Sequence, residues 1–188
     1  MRRRLAELLT YLDATRTRLV ATATEVNPAF AFVRPKSGAW SPAEVMVHLA
    51  IVETGVARLI VRSIDWARSH GIGPEESDES IMSSLDEFGM VERAHPMTAP
   101  AMVTPKEEAT IEQSLASLAQ SRTILREALI AGSDLDLAVV KRPHAVMGEL
   151  NLYQWSLFVA QHEERHRQQI ERTMKEVTGL AAESAPMV

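Results

Sequence analysis

The run His162-Glu163-Glu164-Arg165-His166 places two imidazoles four residues apart, with a glutamate directly after the first. On a helix this spacing brings both rings to one side, one turn apart, where they can hold a single metal ion. It also matches the H-E-x-x-H signature of zinc peptidases, in which the glutamate activates a water. The continuation argues against a peptidase. One peptidase form requires Gly at 169 and His at 172, and this chain has Gln169 and Arg172. The other requires a further glutamate-bearing helix, and little chain follows His166. A di-iron carboxylate bundle would need Glu-x-x-His on two helices. Glu163 to His166 fits that pattern once, while Glu92 to His95 abuts Pro96 in a predicted loop.

Four amphipathic segments must position these groups. The first is predicted from about Arg3 to Ala23, with Leu5, Leu8, Leu9, Leu12 and Leu19 at helical spacing. The second opens on Ser41-Pro42-Ala43-Glu44, a serine cap, a proline at the first helical position and a glutamate three residues past the cap, and runs to about Ser69. The third is predicted to open in the same way on Thr104-Pro105-Lys106-Glu107 and to stop near Ala131 before Gly132. The fourth begins near Glu149 and runs to about Val177; residues 179–188 are expected to be a flexible tail after a single domain over residues 1–178. The connection from His70 to Val103 is too long for a helical hairpin, so it is predicted to cross over and leave helices two and three parallel. The fold class is therefore an all-α four-helix bundle, up-down-down-up.

That topology supplies a third ligand. Leu152, Trp155, Val159, His162, His166 and Ile170 share one face of the fourth helix, and His48 shares a face of the second with Val45, Leu49, Val52 and Val56. His48 lies about 10 Å past its cap at 1.5 Å per residue. An antiparallel second and fourth helix then bring it to the depth of His162 and His166, whereas a parallel pair would miss by two or more turns. The metal ligands are thus expected to be His48, His162 and His166.

Bulk properties narrow the function classes. The net charge of −5 gives no basic stripe for nucleic acid, and no apolar stretch is long enough to span a membrane. Glu7 and Asp13 interrupt the apolar run that a secretory leader would need after the opening arginines, so the cytoplasm is expected. The chain has no cysteine, so any sulfur chemistry requires a thiol brought by a cofactor.

Trp40-Ser41-Pro42-Ala43-Glu44-Val45, His48-Leu49 and Glu53 resemble the second-helix motif of the DinB-like superfamily, which includes the YfiT-like metal-dependent hydrolases. Gly148-Glu149-Leu150-Asn151, Trp155, His162, Arg165-His166 and Gln169-Ile170 resemble its fourth-helix motif. The resemblance covers nearly the whole chain. It implies a four-helix bundle, often dimeric, with a three-histidine metal site that maps onto His48, His162 and His166. Family members with an assigned reaction resemble transferases or isomerases that use a bacterial low-molecular-weight thiol.

Three neutral imidazoles leave a divalent ion with an open position, the catalytic rather than the structural pattern. Zinc is the default, with nickel, iron or manganese as alternatives. The open position suits a water with a pKa lowered toward about 7, or a thiolate. The expected function is a metal-dependent enzyme, hydrolase or thiol transferase, acting on a small molecule as a homodimer. The rival is a non-catalytic metal-binding bundle. Glu44 and Glu163 are the candidate catalytic carboxylates, although Glu44 is also the capping residue and Glu163 sits about 100° round the helix from His162. Gln169 is expected behind a metal ligand, and His95 and His144 near the mouth. Trp40, Trp155 and Phe158 are read as core, and Glu163-Glu164-Arg165 as a solvated face.

Overall fold

A computed structural model describes residues 2–91 and 98–183, with side chains through Gly179; His95 lies outside them. Four helices dominate: α1 (Arg3–Thr24), α2 (Pro42–Ser69), α3 (Ile111–Ala131) and α4 (Leu152–Glu183). A short antiparallel hairpin, β1 (Lys141–His144) and β2 (Gly148–Asn151), joins α3 to α4. Gly148 has φ +74°, a conformation that favours glycine and lets the chain enter β2. Among the described residues no helix is long and apolar enough to cross a membrane.

The start of α2 is the predicted capping box. Ser41 Oγ accepts from Glu44 N, the Glu44 carboxylate accepts from Ser41 N, and Pro42 occupies the first turn. The start of α3 differs from expectation. Its cap is Thr110 with Gln113, not Thr104 with Glu107. Both sites carry the local signature, but a helix also needs an apolar face. Lys106-Glu107-Glu108-Ala109 offers none, whereas Ile111, Leu115 and Leu118 pack against a core cluster of α1 and α2 residues. Before α4, Asn151 and Gln154 form a similar reciprocal cap, and α4 continues past Val177 through Glu183.

Side-chain bonds fix the helix directions. Glu53 meets Arg122 at 2.7 Å, and Ile64 packs where a Cβ on Gly132 would fall, so α2 and α3 are parallel. Arg126 binds Asp13 and Arg16 Nη1 donates to Leu118 O, so α1 and α3 are antiparallel. Arg4 lies over the Tyr153 ring and Arg16 binds Glu163, so α1 and α4 are parallel. It follows that α2 and α4 are antiparallel, the up-down-down-up bundle expected from the unequal connections. The crossover is tied down by Glu75, which accepts from Tyr153 Oη (2.7 Å) and pairs with Arg4.

A candidate three-histidine metal centre

His48, His162 and His166 are all buried and face one another between α2 and α4. Both His48 Nε2 and His166 Nε2 lie 3.1 Å from His162 Nε2. The outer nitrogens define the tautomers. His48 Nδ1–H donates to the Val103 carbonyl at 2.8 Å, and His166 Nδ1–H donates to Gln169 Oε1 at 2.8 Å. Each neutral ring therefore turns an Nε2 lone pair inward. His162 Nε2 can offer one proton at most, so hydrogen bonding alone cannot satisfy three converging nitrogens.

A divalent ion fits this donor set. Imidazole nitrogens bound tetrahedrally at about 2.0–2.1 Å lie about 3.3 Å apart, close to the two observed separations. The Val103 carbonyl and the Gln169 amide are the outer partners that commonly hold ligating rings in place. Among the described residues no fourth His, Asp or Glu joins the cluster.

The cluster opens on a cavity of about 570 Å³, the size of a small-molecule site. Its lining includes Trp40, Phe158, Trp155, Val52 and Val103, together with Arg165 and His144. Trp40 sits 4.8 Å from the His48 ring, and Phe158 stacks on His162 at 5.1 Å. The aromatic residues read from sequence as core thus also form the cavity wall. Trp155 and Phe158 are buried as well, so periodicity could not separate the two roles.

The structure brings neither candidate carboxylate to the histidines. Glu44 is held by Arg34 and by its own cap. Glu163 accepts from Thr15 at 2.9 Å, Arg16 at 2.6 Å and Arg122 at 3.1 Å, on the side of α4 facing α1 and α3. Neither lines the cavity. The expectation that Glu163-Glu164-Arg165 is a solvated face is also corrected, because all three are buried. α4 is enclosed on several sides here, and its buried polar groups have partners: Glu164 pairs with Arg18 and Arg167, and Arg165 donates to the Met90 carbonyl. Arg16, Arg18 and Arg122, which close over this stretch of α4, lie far off in sequence, so charge type alone suggested exposure.

Burial pushes the His48 imidazole below its ordinary value of 6.5, against the pull of its bond to Val103. Burial pushes His162 well below 6.5, and its neighbours His166 and His48 add to the effect. Below that pH the unfolded chain takes up protons that the folded, metal-free site refuses. The unfolded state then binds more protons, and stability falls as pH falls. The melting temperature of metal-free protein should therefore drop from pH 7 to about 5.5, and the drop should shrink in His162→Phe. An identical pH dependence in both proteins would contradict neutral, buried rings.

A family model of the DinB superfamily matches residues 11–170. Among solved structures, the chain is similar to TT2238, a four-helix bundle protein, at 25% identity and a TM-score of 0.61. That match covers 89% of this chain and 98% of the other. No curated protein matches the chain.

Proposed function

The chain belongs to the DinB superfamily, and we propose that it is a metal-dependent enzyme that acts on a small molecule at the three-histidine centre. The observation that carries this reading is the opening of the cluster onto a cavity without a fourth protein ligand among the described residues. A structural metal site is usually closed by four protein ligands. A divalent ion here, zinc by default, would supply Lewis acidity at a position open to the cavity, easing loss of a proton from a water or a thiol. The chain's own residues perform the rest. Val103 and Gln169 fix the rings, and the apolar wall excludes bulk water from the bound molecule. Because the chain has no cysteine, a thiol-transfer reaction would draw its sulfur from a free low-molecular-weight thiol. Glu163, bound to two arginines, acts in this reading as a positioning residue for α4 rather than as a base.

The test uses zinc-loaded protein with two probes, p-nitrophenyl acetate for hydrolysis and monobromobimane with L-cysteine for thiol transfer. Turnover of one probe should be lost with chelator and in His162→Ala, and largely retained in Glu163→Gln assayed well below its melting point. Casein should stay intact. Zinc binding without turnover of either probe would support the non-catalytic bundle instead, and metal-dependent casein cleavage abolished by Glu163→Gln would restore the peptidase reading.

We also propose a two-fold homodimer, the commonest closed assembly. Ile124 and Ile130 on α3 are about half exposed, which leaves apolar surface available for such a contact. Light scattering should give about twice 20.8 kDa; a particle of 20.8 kDa would refute the dimer.

A further inference from the structure

His144 lies at the hairpin end of β1 and lines the same cavity as the three histidines. Its Nδ1 accepts two backbone N–H groups of the turn, from Val146 at 3.2 Å and Met147 at 3.1 Å. An imidazole nitrogen that accepts carries no proton, so the neutral ring bears its hydrogen on Nε2, at the opposite edge from the turn. The ring packs edge-on against Phe158 at 4.7 Å and tilted against Trp155 at 4.9 Å. Trp155 in turn donates from Nε1 to Arg142 O at 3.2 Å, which pins the hairpin to α4. His144 is therefore a fixed donor, one aromatic ring away from His162, since Phe158 touches both.

Charge narrows what that donor would meet. No aspartate or glutamate is among the described residues lining the cavity, while Arg165 is. Among the described lining residues a cationic ligand finds no carboxylate, whereas an oxygen acceptor finds the His144 N–H. We infer that His144 is a substrate-binding residue whose Nε2–H holds a carbonyl or carboxylate oxygen of a small molecule, with its apolar body against Trp155 and Phe158 and its reacting end toward His48, His162 and His166. This inference rests on the proposed small-molecule site and names its ligand class. The competing role for His144 is to shape the turn alone. His144→Asn separates the two, because an asparagine Oδ1 takes the place of Nδ1 as the turn's acceptor, whereas nothing replaces Nε2–H.

The test is calorimetric titration of phenylacetate, phenylacetamide and phenethylamine into parent and His144→Asn protein, each metal-free and zinc-loaded. Phenylacetate and phenylacetamide should bind the parent, with phenethylamine at least about tenfold weaker. His144→Asn should weaken the two acceptor probes by about tenfold in both metal states, the effect of one hydrogen bond. Zinc affinity and melting temperature should be unchanged. Equal affinity of the acceptor probes for parent and His144→Asn, tighter binding of phenethylamine, or no binding of either acceptor probe would overturn the inference. Failure of the parent to bind zinc would count against the metal centre, while the metal-free titrations still decide the role of His144.

Discussion

Zinc affinity in His48→Ala is expected to fall by more than a hundredfold, and in His70→Ala to stay at the parent value. His48 lies within α2, His70 caps its C-terminal end, and the two differ in what surrounds them. His48 is buried and its Nε2 lies 3.1 Å from His162 Nε2. Among the described residues it is the one candidate ligand on α2, so its loss reduces a three-nitrogen cluster to an i, i+4 pair on α4. Changes to outer partners of metal ligands already cost about 10- to 100-fold in affinity, and removal of a ligand should cost more. His70 ends α2, exposed and stacked on Trp66 at 4.2 Å. Competition titration against a zinc-chelating dye measures both variants. Equal affinities would show that the three rings do not share an ion.

Arg122→Leu is expected to destabilise the metal-free fold by about 3–5 kcal/mol, the usual cost of breaking a buried ion pair from one side. Arg122 donates to Glu53 at 2.7 Å, to Glu163 at 3.1 Å and to the Leu12 carbonyl. Arg16 completes the group, so two arginines serve two glutamates with little exposure to water. Without Arg122 the two carboxylates are left with one guanidinium. The contrast is Arg126→Ala, which removes a solvent-exposed pair with Asp13 and should cost no more than about 1 kcal/mol. Urea denaturation of both variants reads the difference. Similar midpoints would mean that the buried network adds nothing to the fold.

The fold and the three-histidine cluster were legible in the sequence for a shared reason: both depend on periodicity over long helices. The stripes on α2 and α4 and the length of the α2–α3 connection suffice to place His48 beside His162 and His166. Gln169 followed from the same periodicity and stands behind His166. What escaped depended on distant partners. Glu163 was set about 100° round from His162, but nothing local showed that Arg16 and Arg122 would claim it. Thr104 carried the same capping signature as Ser41, yet the helix begins seven residues on at Ile111, where the apolar face starts. The hairpin that presents His144 is only four residues a strand and includes Pro143, too little for an alternating pattern to register.

In the proposed site His48, His162 and His166 hold one divalent ion with a position left open to the cavity. X-ray absorption at the metal edge, on protein purified without added metal and quantified for metal content, tests it most directly. The expected result is close to one ion per chain, zinc by default, bound by three imidazole nitrogens at about 2.0–2.1 Å with the remaining coordination from a light non-protein atom or a thiol sulfur. An ion with four protein ligands, or protein that binds no divalent metal even after reconstitution, would contradict it.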